Sequence, residues 1–103
     1  MPRYVIERDI PGAGRMSDVE LRAISKTSRD VVDAMGPGIQ WDHSYVANDR
    51  TYCVYIAQNE EQLREHSKRA GFPITRIERI DTMIDPVTAE PKAGATRPLE
   101  MAV

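Results

Sequence analysis

The sequence predicts an α+β domain in which four strands and two helices follow one another along 103 residues. Three observations predict this class: two amphipathic segments that open with helix-capping residues, four segments rich in β-forming residues, and turn residues at the junctions. With 41% hydrophobic and 29% charged residues, the chain has the size and composition of one globular domain.

The N-terminal third contains a strand and a helix. The segment RYVIERD, residues 3–9, is centred on β-forming residues, and we expect the following loop, IPGAG, to be a flexible connection. Ser17 is a helix N-cap with Glu20 as its capping-box partner, and apolar residues at helical spacing run from there to Met35. Gly36-Pro37-Gly38 ends the helix.

The middle of the chain predicts a β-hairpin over residues 41–57, WDHSYVANDRTYCVYIA. Its two β-rich runs flank Ala47-Asn48-Asp49-Arg50, in which Asn and Asp favour a turn. Asn59 then caps a second helix, with Gln62 at the capping-box position, and Gly71 ends it. Residues 74–84 are expected to form the last strand.

The resulting order is strand, helix, strand, strand, helix, strand. Two split βαβ units of this kind predict the ferredoxin-like fold, βαββαβ, a four-stranded antiparallel sheet with both helices on one face. We assign this domain to residues 1–85 and treat residues 86–103 as a tail that is disordered or docks on a partner, with Leu99, Met101 and Val103 as its apolar contacts. Because the other face of the sheet has no cover within one chain, we expect a homodimer.

The register of the hairpin decides which of its side chains meet. A two- or four-residue loop pairs Tyr45 with Tyr52 and His43 with Val54, and a three-residue loop pairs Tyr45 with Cys53. We favour the first register, which is expected to point His43 toward the helix layer and toward His66 on the second helix. A pocket between sheet and helices that contains both histidines and Glu7 is then possible.

Four residues are candidates for chemistry. His43 and His66 are the two histidines, and imidazole is the commonest metal-ligating side chain and a proton shuttle near neutral pH. Cys53 could act as a soft ligand or a nucleophile, and Glu7 as an oxygen ligand or an acid–base group. The competing structural explanation is a packed histidine with one hydrogen bond, a small buried cysteine and a solvated strand end.

Composition excludes several classes of function. A net charge of −2 without a basic cluster argues against a nucleic-acid binder. Apolar runs long enough to span a bilayer are absent from the sequence, and the N-terminal residues do not form a signal segment. A single cysteine cannot form an internal disulfide, so we expect a cytoplasmic protein.

Several separated stretches resemble a known family: YVIERDIPGAG, SDVELRAIS, the hairpin WDHSYVANDRTYCVYIA, and REHSKRAGFPITRI. They are similar to the small bacterial nickel-binding proteins long filed as a domain of unknown function, over about Pro2 to Ala89. The resemblance implies a ferredoxin-like homodimer, nickel binding at the dimer surface in at least one member, and sequestration rather than catalysis. The HSYV and REHS motifs make His43 and His66 the first ligands to test, and Cys53 in TYCVY the second.

The leading hypothesis is therefore a non-enzymatic, homodimeric nickel-binding protein with His43 and His66 as nitrogen ligands and Glu7 as an oxygen ligand. The alternative is a small, cofactor-independent enzyme of the dimeric αβ-barrel kind, such as an isomerase, cyclase or monooxygenase, with a histidine as general base. A third hypothesis is a simple interaction module.

Overall fold

A computed structural model describes residues 1–91 of the chain. Its regular elements follow the predicted order. The strands are β1 (Arg3–Asp9), β2 (Ile39–Val46), β3 (Arg50–Ala57) and β4 (Arg76–Ile80), and the helices are α1 (Asp18–Met35) and α2 (Glu60–Ala70). Two short 3₁₀ turns, Ala13–Arg15 and Pro86–Ala89, complete the set within these residues.

The four strands form one antiparallel sheet in the order β2-β3-β1-β4. β1 and β3 are therefore central, and β2 and β4 are the two edges. This arrangement, with two helices, is the ferredoxin-like α+β fold that the element order predicts.

Both helices begin at their predicted N-caps, and the reciprocal capping box forms in α1 but not in α2. The Ser17 side chain accepts a hydrogen bond from the Glu20 amide, and the Glu20 carboxylate accepts one from the Ser17 amide, which completes the capping box. In α2 the Asn59 side chain accepts from the Gln62 amide at 3.1 Å, and Gly71 ends the helix with a left-handed φ of 76°.

The core lies between the sheet and the helices. Alternate residues of the central strands point into it, so that Tyr4 and Ile6 of β1 pair with Tyr55 and Cys53 of β3, and all four are buried. Ile39, Ala57 and Leu63 complete the buried cluster. The opposite, open face of the sheet carries the remaining alternate residues, among them Val5, Val54 and Ile56.

The loop after β1 is a packed connection, and the expectation that it is flexible is wrong. The Gly14 amide donates to the Asn48 carbonyl oxygen, and the Gly12 amide donates to the Asp49 carboxylate, both at 2.9 Å. The loop thus rests on the hairpin turn. A Cβ on Gly14 would lie 3.0 Å from the Asn48 Cα, which explains the need for glycine there.

The last strand is shorter than predicted. It ends at Ile80 because Ile80 pairs with Arg3, the first residue of β1, and the sheet offers no further partner. The expected strand over residues 74–84 therefore shrinks to five residues. The boundary after residue 85 stays a prediction, and Leu99, Met101 and Val103 lie outside the described residues. Within residues 1–91, the two helices both lack the length and apolar character needed to cross a membrane.

Candidate functional site

The hairpin has the register that we favour, but His43 lies on the opposite face of the sheet from the one expected. Tyr45 pairs with Tyr52 and His43 with Val54, as the shorter turn predicts. The face that carries Val54 is the open face, because Cys53, Tyr55 and Ala57 are the residues of β3 that pack in the helix-facing core. His43 therefore points away from the helices, and the expectation that it faces them is wrong.

A β-bulge in β2 separates two residues that simple alternation would place together. Trp41 pairs with Tyr55 and His43 with Val54, so Asp42 is the extra residue between them. Trp41 consequently packs against the core, and its indole N–H donates to the Ser44 hydroxyl at 2.9 Å. Regular alternation would place Trp41, His43 and Tyr45 on one face, and the bulge leaves only His43 and Tyr45 there.

His43 lies on the open face with its ring held from two sides. Its Nδ1 is 2.8 Å from the Asp42 carboxylate, and its ring meets the Tyr45 ring edge-on with centroids 5.0 Å apart. The His43 side chain is 44% exposed. Since a carboxylate oxygen accepts, Nδ1 carries the proton of this hydrogen bond, and in the neutral ring Nε2 carries the lone pair. This is the geometry of an imidazole able to bind a metal ion.

Glu7 shares the open face with His43, near the end of the sheet where charged residues collect. It pairs across the strands with Tyr52, its side chain is 27% exposed, and its carboxylate lies 3.7 Å from the Arg50 guanidinium. Arg50 bonds Asp9 more closely, at 2.7 Å. The Glu7 carboxylate is therefore partly shielded from solvent, and one of its oxygens makes a long ion pair with Arg50.

His66 lies on the other side of the sheet, fully buried under α1. Its Nε2 donates to the Ser28 carbonyl oxygen at 3.2 Å, and its ring packs on Tyr55 with centroids 5.0 Å apart. Burial lowers the pKa of His66, and the nearby positive charge of Arg8 lowers that pKa further, while the hydrogen bond to Ser28 opposes both effects. Its Nδ1 makes no hydrogen bond within residues 1–91.

Cys53 is a free, buried thiol on the helix-facing side of β3. Its sulfur is 3.7 Å from the Thr51 hydroxyl, a weak hydrogen bond typical of a packed cysteine.

Arg8 is the polar core residue that the sequence argument missed. It is 1% exposed, it donates to the Ser67 hydroxyl at 2.9 Å and to the Pro73 carbonyl oxygen at 2.8 Å, and it takes part in none of the ion pairs within residues 1–91. Its guanidinium carbon lies 5.2 Å from the Phe72 ring centroid. Strand alternation could have found it, because Arg8 has the same parity as the buried residues Tyr4 and Ile6.

The structure divides the four predicted site residues between the two faces of the sheet. His43 and Glu7 lie on the open face, and His66 and Cys53 lie on the helix side. The expected pocket containing both histidines is therefore wrong. Residues 1–91 also hold no group of three His, Cys, Asp or Glu side chains placed to share a metal ion, so one chain fits nickel at most as a partial site built on His43.

Two comparisons relate this chain to known proteins. It superposes on the crystal structure of SCO4226 from Streptomyces coelicolor A3(2) with a TM-score of 0.67 and 13% identity, over 80% of this chain and 99% of that one. At this identity the match shows a common fold. Among curated proteins, none matches the chain. A family model described as nickel responsive protein SCO4226-like matches residues 4–80. The chain therefore belongs to the SCO4226-like family of nickel-responsive proteins.

Proposed function

We propose that this protein binds Ni(II) at the open face of its sheet, with His43 Nε2 as the nitrogen ligand. The observation that carries the proposal is the hydrogen bond of His43 Nδ1 to the Asp42 carboxylate at 2.8 Å. Metal-binding histidines commonly donate their second ring nitrogen to a carboxylate, which fixes the tautomer and raises the basicity of the ligating nitrogen. The nickel-responsive description of the family agrees with this chemistry.

Nickel needs more ligands than one imidazole. Ni(II) accepts nitrogen from imidazole together with oxygen from carboxylate and water. We therefore include in the proposal a homodimer, in which a second copy supplies further ligands beside water, and Glu7 as the oxygen ligand from the same face of the sheet. The half-buried apolar residues Val5 and Ile56 of that face support the dimer.

His66 and Cys53 are left out of the proposed ligand set. Both side chains are buried on the helix side, and His66 already uses Nε2 to hold Ser28. A hydrated cation would have to displace packed core residues to reach them. A cytoplasmic location remains part of the proposal and is supported by the single cysteine, which is a free thiol.

Calorimetric titration of the untagged, full-length protein with Ni(II) tests the proposal. His43→Ala is expected to abolish the binding isotherm, and Asp42→Asn is expected to weaken it by about 10- to 100-fold because the ring loses its orienting carboxylate. His66→Gln, which changes the buried histidine, serves as the matched control and is expected to keep wild-type affinity. Unchanged nickel affinity in a folded His43→Ala protein would refute the site.

The enzyme hypothesis takes second place. It is favoured by the contact between His66, whose pKa is lowered by burial, and the phenol-bearing Tyr55. An enzyme would need a pocket that reaches these two rings. Two surface depressions, of about 600 and 430 Å³, are lined by other residues.

A further inference from the structure

Residues 81–90, which we name the C-terminal arm, follow β4 and expose a concentrated apolar surface. Met83 is 71%, Ile84 54% and Val87 72% exposed. The arm has local order, because the Asp85 carboxylate accepts from the Thr88 amide and the Thr88 hydroxyl accepts from the Asp85 amide. Exposed apolar residues on an ordered segment indicate a surface that is covered by something else.

The arm is also acidic. Its sequence, DTMIDPVTAE, contains three carboxylates and no basic residue. It lies outside residues 4–80, which match the family model, and a fifth of this chain has no counterpart in the SCO4226 structure. What the arm does is therefore a question about this chain and is separate from the metal site.

A groove of complementary chemistry runs beside α1 at the opposite edge of the sheet. This α1 groove has a volume of about 600 Å³. Its apolar wall includes Val19, which is 69% exposed, Ala23 and Trp41, and its basic rim is formed by Arg22, Lys26 and Arg29. Its lining includes no acidic residue. Arg22 and Arg29 take part in none of the ion pairs within residues 1–91.

The positions of the arm and the groove favour contact between two copies. The arm leaves the sheet from β4, and the groove adjoins β2, with β1 and β3 between them. Three strand spacings amount to roughly 14 Å, and within one chain Met83, Ile84 and Val87 stay exposed, so the arm does not lie in its own groove. In a symmetric pair, each arm can instead reach the groove of the other chain, which satisfies both arms and both grooves at once.

We propose that the C-terminal arm of one copy docks in the α1 groove of a second copy. Met83, Ile84 and Val87 lie against the apolar wall, while Asp81 and Glu90 face the basic rim. The contact uses the helix side of the sheet and is independent of the open face that carries His43.

Trp41 reports directly on this contact, because it is the single tryptophan and lines the groove. Acrylamide quenching of the full-length protein is measured across a dilution series, and shielding of Trp41 is expected to increase with protein concentration. Ile84→Asp with Val87→Asp is expected to move the half-point to about tenfold higher concentration or beyond. Association of two copies through the open face is expected to leave the quenching of Trp41 unchanged, because Trp41 packs on the helix side. It therefore does not interfere with the measurement.

A charge exchange identifies the two partners. One protein carries Arg22→Glu and Arg29→Glu in the groove, and the other carries Asp81→Arg and Glu90→Arg in the arm. Each alone is expected to lose shielding by repulsion, and an equimolar mixture is expected to regain it, because every arm then meets a groove of opposite charge. Arg64→Glu with Lys68→Glu, on the exposed face of α2, is the charge-matched control and is expected to behave as wild type.

Three results would overturn the proposal. Shielding that does not change on dilution would mean that the arm folds back on its own chain or never docks. If the equimolar mixture does not regain shielding of Trp41, the arm does not bind in the groove. If the groove variant loses shielding while both arm variants keep it, the groove binds a ligand other than the arm.

Discussion

His66 is the residue whose chemistry depends most on burial. Burial holds its pKa below the ordinary value of 6.5, so the unfolded chain takes up a proton at a higher pH than the folded chain does. Stability from this group is complete above pH 6.5 and is lost as pH falls toward the lowered pKa. The loss is expected to reach up to about 1.4 kcal/mol per pH unit within that window.

Urea unfolding at a series of pH values between 7.5 and 5 measures this loss. His66→Gln is expected to flatten the dependence of the unfolding free energy on pH, whatever its stability at neutral pH. His43→Gln keeps the buried imidazole and is expected to retain the acid-sensitive slope. Equal slopes in the wild type and in His66→Gln would contradict the assignment.

Single residues were the hardest level to predict from the sequence. His43 was singled out as a candidate ligand, and its carboxylate partner is its neighbour in the chain, Asp42. The charged residue that does enter the core is Arg8, which makes a cation–π contact with Phe72 and hydrogen bonds to a hydroxyl and a carbonyl. Those partners come from α2 and the loop after it, so the order of residues along the chain does not reveal them.

Elements were predicted more accurately than residues, since capping boxes, turn residues and strand alternation are local signals. Both helices and the first hairpin register follow from them. The prediction of which hairpin face packs on the helices was wrong because β3 is apolar on both sides, so hydrophobicity did not identify the core side. The sequence also contains no marker of the bulge at Asp42.

The contact between the loop after β1 and the hairpin turn is an element-level feature with a clear test. Gly14→Ala would place a methyl group 3.0 Å from the Asn48 Cα and 3.1 Å from the Ala47 carbonyl oxygen, both backbone atoms. We expect a loss of about 1–3 kcal/mol in the free energy of unfolding, measured by urea denaturation, because the backbone must shift.

Gly38→Ala is the matched control. Its new methyl group would meet the far end of the Gln58 side chain at 3.0 Å, which can rotate away. It is therefore expected to cost less than Gly14→Ala. If Gly38→Ala lowers the free energy of unfolding more than Gly14→Ala does, the backbone of the hairpin turn shifts more easily than its contact with the loop suggests.

The whole molecule presents two faces with different compositions. The helix side is closed over a small core, while the open face carries ion pairs at one end and half-buried apolar residues elsewhere. If that face is the dimer interface, Ile56→Lys is expected to raise the dissociation constant by about tenfold or more, since it buries an unpaired charge. Sedimentation velocity measures the change.

Ala34→Lys, at an exposed position of α1, adds the same charge away from the open face and is expected to leave association unchanged. A folded Ile56→Lys protein that associates like the wild type would place the interface elsewhere. The fold itself could be predicted from element order, whereas assembly could not, because one chain's sequence does not say which surfaces meet.

Because Asp42 is an extra residue, the two halves of β2 turn their odd-numbered side chains to opposite faces of the sheet. The two halves can therefore change in sequence independently. Ile39 and Trp41 must fit the volume of the core, since Ile39 is 1% exposed and Trp41 packs beside it. From His43 onward the same strand points its odd-numbered side chains outward. Substitutions at His43 and Tyr45 can therefore change the chemistry of the open face without altering the interior.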